Sequence, residues 1–294
     1  MKVYISLLCI LLLFACNDNT TNREIDEDYL ERFREFTSGP PKGPRLFYLQ
    51  IVALVELDPF SLNSFGTDTS NQHIIDVSGF PDMAGSIRFS GDSLFYISQE
   101  GLDVKTQDQS IVDDYWLEIS PGGQSEKLIH DDFKWFVTDF GNRYFLRIQD
   151  TSSERVASFK GFERYEPVSE FILPAKVNRY DQPREVSVPT VFDFEEKTTF
   201  VGTVDFDYQG EKYSLQMEKG GFIMFSDGTS GDTTYGAGRY LRIRRPNEDG
   251  TTIIDFNYAF NPPCSFSDYT TCLFPPSSNR LPFKVLAGEK AQML

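Results

Sequence analysis

Residues 198–218, TTFVGTVDFDYQGEKYSLQME, alternate apolar and polar side chains on both sides of Gln209-Gly210. A period of two puts one set of side chains on a single face of a sheet, and a helix would scatter them. The Gln-Gly pair supplies residues suited to a tight turn, so the stretch predicts a β-hairpin. The same rhythm returns at residues 86–98, turning at Gly91-Asp92, and at residues 134–150, turning at Phe140 to Asn142. The apolar run 46–57 and the segments GGFIMFSD, GRYLRIRR and TTIIDFNY add further strand candidates. Aromatic residues make up 15% of the chain, which suits sheet packing. The chain is therefore expected to be mainly β.

One helix interrupts this pattern. In residues 26–37, Tyr29, Leu30, Phe33 and Phe36 share one face, and Asp26 is placed to cap the start. The following SGPPKGP ends it. Packing of this amphipathic helix on the first sheet is expected. Pro167 and Pro174 mark a boundary, giving a helix plus β-sandwich region over residues 26–160 and a second β-rich unit over 161–294.

The first residues carry a different signal. Lys2 precedes an apolar run of about a dozen residues, too short for the roughly 20 needed to span a bilayer. The run ends LLFAC, which resembles the lipobox of bacterial lipoproteins. That resemblance implies a signal peptide over residues 1–15, acylation of Cys16, and a polar tether over 16–25. Each buried CH₂ of an acyl chain contributes about 0.8 kcal/mol, so two or three chains would hold the protein at a lipid bilayer. The implied location is the bacterial cell envelope, on the periplasmic or outer-membrane face.

The chain has a formal net charge of −16 and scattered basic residues, with RIRR at residues 242–245 as the one small cluster. An acidic body repels phosphate backbones, so nucleic acid is not expected as a partner. Cys264 and Cys272 are the two cysteines of the folded part. In an exported chain they predict a disulfide closing a short loop, against the alternative of two buried thiols. With only His73 and His130 available, no metal site and no cofactor is expected.

Three C-terminal pieces read as one signature: FSDGTSGDTTYGAGRYL, IDFNYAFNPPCSFSDYTTC and PPSSNRLPFKVLAGEK. Together with FKGFERYEPV and PREVSVPTV upstream, they resemble a bacterial family known as domain of unknown function 1684. The resemblance implies a shared fold and no particular activity. Residues 60–77, FSLNSFGTDTSNQHIIDV, look like the opening hairpin of a forkhead-associated β-sandwich. There a Gly-Arg pair precedes the loop. Here Gly66 is followed by Thr67, so the phosphothreonine-binding function is not carried over.

The strand candidates of the second unit end in polar residues. Asp227, Thr229, Tyr235, Arg239, Asp255, Asn257 and Asn261 are the candidate ligand-binding set. Asp227 and Asp255 invite an acid–base pair, and Arg239 a clamp for a carboxylate or phosphate. The same residue types also serve their own loops or a structural Arg239–Asp255 salt bridge. Two functions follow as expectations: an envelope lipoprotein binding a small ligand or partner at this polar site, or a hydrolase using the Asp pair.

Overall fold

The computed structural model describes residues 25–291 apart from 92, 142, 192 and 193. The expected leader, Cys16 and the tether up to residue 24 lie outside the described residues. The helix α1 spans Glu27–Thr37, and the Asp26 carboxylate accepts the Tyr29 backbone N–H at 2.7 Å, capping it as expected. A second helix, α2, runs Gly43–Gln50. Residues 46–50 were expected in a strand. They are helical because Pro44 sits in the first turn, where its fixed φ favours a helix and its missing N–H costs nothing.

The first unit is built from β1 (Ile51–Glu56), β2 (Asn63–Gly66), β3 (His73–Ile74), β4 (Gly85–Ser90), β5 (Ser93–Ser98), β6 (Asp114–Leu117), β7 (Leu128–His130), β8 (Phe133–Asp139) and β9 (Tyr144–Asp150). They form a five-stranded sheet ordered β3-β2-β4-β5-β6 and a four-stranded sheet ordered β1-β9-β8-β7. Phe65, Ile87 and Tyr96 from one sheet meet Trp135, Val137 and Ile148 from the other in a single core, which makes this unit a sandwich. The hairpins expected at residues 86–98 and 134–150 are present as β4–β5 and β8–β9. The opening hairpin expected within residues 60–77 is not: β2 and β3 pair in parallel, Phe65 with His73 and Gly66 with Ile74.

A short helix, α3 (Glu154–Ser158), leads to the second unit. Its strands are β10 (Ile172–Pro189), β11 (Glu195–Tyr208), β12 (Glu211–Glu218), β13 (Phe222–Phe225), β14 (Arg239–Arg242) and β15 (Thr251–Asp255). They make one sheet ordered β14-β13-β12-β11-β10-β15. The β11–β12 hairpin pairs Val204 with Leu215 and Phe206 with Tyr213, and both pairs face the core. Its turn residues Gln209 and Gly210 have φ of 51° and 83°, the positive values that a tight hairpin needs.

The strand β10 is 18 residues long despite Pro174, Pro183 and Pro189. Its pairing with β11 shifts register between Arg179 and Arg184, so Pro183 lies in a bulge where no ladder hydrogen bond is required. The core of this unit joins Phe206, Leu215, Phe225 and Ile254 to Leu281, Val285 and Ala287 of the C-terminal segment.

The helix α1 does not pack on the first sheet as expected. Phe33 and Phe36 meet the Tyr258 ring edge-on at 5.5 and 5.0 Å, in the second unit. The Tyr29 hydroxyl donates to Asp255 at 3.0 Å. The helix is thus fastened to the second unit, and α2 carries the chain back to the first.

Candidate functional site

Register places the first polar pair. Phe225 ends β13 opposite Arg239, which opens β14, so Asp227 two residues on comes within reach of the guanidinium. Arg239 Nη2 donates to Asp227 Oδ2 at 2.9 Å, and both side chains are fully buried. Asp227 Oδ1 accepts from the Thr229 N–H at 2.8 Å, the Thr229 hydroxyl at 2.6 Å and the Val285 N–H at 3.1 Å. The rest of the Arg239 fork donates to the carbonyls of Val285 (3.0 Å), Ala287 and Glu289 (3.3 Å), while Nε has no partner. Burial pulls the Arg239 pKa down, and the Asp227 charge opposes that. The expected clamp is therefore a strap holding the C-terminal segment to the sheet. The Arg239–Asp255 salt bridge weighed from sequence is replaced by Arg239–Asp227.

Asp255 has different partners. It accepts from Tyr29 and from both the backbone N–H and side-chain amide of Asn257, each at 3.1 Å. Burial raises its pKa although these donors favour the charged form. Asn257 also exchanges two hydrogen bonds with the Val168 backbone, both at 3.0 Å. Asn261 donates from its backbone to Glu289 at 2.6 Å and from its amide to the Lys290 carbonyl at 2.8 Å. Each of these side chains is bonded within its own chain, with Asn261 Oδ1 left over, and none of the three clefts described below is lined by Asp227 or Asp255.

The Cys segment also departs from expectation. Cys264 and Cys272 are free thiols, not at disulfide distance. The Cys272 Sγ instead accepts the Cys264 N–H at 3.1 Å and lies 3.6 Å from the Thr270 hydroxyl. The hydrogen bond between the thiols, with burial, pushes the Cys264 thiol up. Tyr235 closes this loop by donating to the Cys264 carbonyl at 3.0 Å.

Sequence reading missed one charged cluster. The Glu289 carboxylate, 1% exposed, accepts from Arg45 at 2.8 Å and Arg164 at 2.8 Å. The Arg45 guanidinium lies over the rings of Phe159, Phe162 and Phe266 at 5.3–5.9 Å. Arg164 and Glu289 both fall in signature pieces, FERYEP and AGEK, which was a usable signal. Arg45 is more than a hundred residues from either partner and gave none.

Open space lies elsewhere. A shallow groove of about 1070 Å³ runs beside β6 and is lined by Asp114, Glu118 and Glu126 among others. A cleft of about 450 Å³ on β10–β12 carries Asp205, Asp207 and Lys212. A third, of about 520 Å³, forms where the β10 bulge, the 219–221 turn and residues 243–246 converge. Arg179, Tyr180, Lys219, Arg244 and Arg245 line it, over an apolar floor of Val201, Met217 and Ile243.

Residues 157–290 match the family described as protein of unknown function (DUF1684). The chain is also similar to an uncharacterized protein from gene locus rrnAC0354 of Haloarcula marismortui, solved by solution NMR. The two are 32% identical over 47% of this chain and 80% of that one, with a TM-score of 0.38. No curated protein matches the chain.

Proposed function

The chain belongs to the DUF1684 family, and we propose that it is a lipid-anchored binding protein of the bacterial envelope whose ligand enters the cleft between the β10 bulge, the 219–221 turn and residues 243–246. One observation carries the reading. The polar strand-end side chains are buried or half-buried and bonded within the chain, with only Arg239 Nε and Asn261 Oδ1 left over, whereas this cleft in the same unit is open and its cations form no ion pair among the described residues. Bulges commonly re-aim side chains beside binding sites, and the pocket size suits a small molecule.

The anchor rests on the LLFAC stretch, and the helix beyond the tether gives it a structural consequence. That helix, α1, is fixed to the second unit through Tyr29, Phe33 and Phe36. A lipid on Cys16 would therefore hold the cleft-bearing unit close to the bilayer. Hydrolysis by Asp227 and Asp255 has less support, because each carboxylate is already committed to structural donors.

Two measurements test the proposal. Labelling with a clickable palmitate should mark the wild type and leave Cys16→Ala unmarked and absent from membranes; an unlabelled wild type refutes the anchor. A thermal-shift screen of small molecules should find stabilisers whose effect disappears when Val201→Trp fills the cleft. Stabilisation that survives this substitution refutes the site.

A further inference from the structure

We infer that the cleft is selective for a phosphomonoester carried on an apolar group. This inference rests on the binding reading above and names its ligand class. Acidic residues outnumber Lys and Arg 44 to 28 in the chain, so an ordinary patch of its surface is negative. The cleft reverses that sign: Arg179, Lys219, Arg244 and Arg245 line it, and no carboxylate does.

These four cations are also uncommitted. Among the described residues, none has a carboxylate oxygen within ion-pair distance. The neighbouring cleft shows the opposite case. There Lys212 pairs with Asp207 at 3.0 Å, and Asp205 accepts from Asn178 and Ser214 at 2.6 Å each. Two acids next to the basic cleft are engaged elsewhere, and Asp181, which follows Tyr180 in the bulge, is not among the residues that line it. Glu218, beside Lys219, accepts the Thr198 hydroxyl at 2.7 Å, and Asp255, which feels Arg244, is held by Tyr29 and Asn257.

The shape selects further. The cations come from three separate segments, so their charges surround one volume and do not form a stripe. Arg184 stacks on the Tyr180 ring at 3.9 Å and brings a fifth cation to this end of the bulge. Gly220 and Gly221 both have left-handed φ, 76° and 77°, so the turn bends tightly without side chains of its own. A Cβ on Gly221 would come within 2.8 Å of Ile243 Cγ1, a floor residue.

Guanidinium forks match phosphate oxygens two at a time, and a dianion gains roughly twice what a carboxylate gains from exposed, screened cations. Val201, Met217 and Ile243 provide an apolar surface for the group that carries the phosphate. Such a phosphomonoester occurs in soluble metabolites and in the headgroup of phosphatidic acid.

The test is calorimetric titration of the purified chain with phenyl phosphate, inorganic phosphate, benzoate and benzyl alcohol. Dihexanoyl phosphatidic acid against phenyl phosphate distinguishes the two sources, and glycerol 3-phosphate presents the phosphate without an apolar carrier. Phenyl phosphate should bind most tightly of the first four, and benzyl alcohol should not bind. The Arg179→Gln/Arg244→Gln variant, both sites exposed, should keep its Tm and lose affinity about ten- to a hundredfold. Lys212→Gln, in the neighbouring cleft, should bind as the wild type does.

Tighter binding of dihexanoyl phosphatidic acid than of phenyl phosphate assigns a lipid headgroup, and the reverse assigns a soluble ester; glycerol 3-phosphate binding as tightly as either overturns the apolar half of the inference. Benzyl alcohol binding as tightly as phenyl phosphate overturns the inference and leaves the binding reading standing. Phosphate binding untouched by the double variant overturns it as well. If none of the probes binds, the inference falls, and the binding reading stands or falls by the thermal-shift screen with Val201→Trp.

Discussion

Asp227→Asn keeps the volume of the side chain and removes the charge that offsets Arg239. Both partners are fully buried, so water cannot replace the lost carboxylate. Removing one member of a buried ion pair costs about 3–5 kcal/mol, because the remaining charge is left uncompensated. The folded state of a typical domain is stable by about 5–15 kcal/mol, so this change should consume a large part of it. The damage should concentrate at the C-terminal strap, since Arg239 also holds the carbonyls of Val285, Ala287 and Glu289. Urea unfolding followed by circular dichroism measures the total, and hydrogen exchange at the Val285 amide measures the local part. That amide donates to Asp227 Oδ1 at 3.1 Å and should lose protection before the β11–β12 amides do. The double variant Asp227→Leu/Arg239→Met should recover most of the loss, because an apolar pair of similar volume carries no desolvation cost. A loss below about 1 kcal/mol, the level of an exposed pair, would refute the buried-strap reasoning.

Three further outcomes rest on the same contacts. Burial raises the Asp255 pKa, so the folded state retains a proton that the unfolded chain releases near pH 4. Its contribution is therefore full below that pH and is lost as pH rises through the folded value; Asp255→Asn should flatten that decline in a series of urea midpoints. Tyr29→Phe removes a donor to the Asp255 carboxylate and should cost about 1.5–3 kcal/mol at neutral pH, with faster proteolysis within α1. Gly238→Ala forces a side chain onto φ of 87° with its Cβ 2.5 Å from the Phe225 carbonyl, and should lower Tm by more than Gly231→Ala, where the nearest atom is 4.0 Å away.

The strands of the second unit could be read from sequence where alternation was clean, as in Phe206, Tyr208, Tyr213 and Leu215. The strand β10 escaped because its prolines argue against a strand; the register shift between Arg179 and Arg184 accommodates Pro183, while Pro174 and Pro189 lie near the two ends of the strand. The helix α1 was legible as an object but not in its destination, since nothing local links Tyr29 to Asp255. The polar cluster shows the same division. Asp227, Arg239, Asp255 and Asn257 stand out in the sequence as polar residues at strand ends, but residue type cannot separate a buried strap from an open site. Burial decided it. The basic cleft left only the RIRR run as a trace, because Arg179 and Lys219 join Arg244 and Arg245 only through the bulge of β10 and the glycine turn at 220–221.

In the proposed function, the open cleft of the second unit holds a small molecule in the living cell. Native mass spectrometry of the chain isolated from its native cells is the decisive measurement. The wild type should exceed the mass of its covalent chain by one small bound molecule, and the Val201→Trp variant should show no such excess. Identical spectra for the two proteins would contradict it.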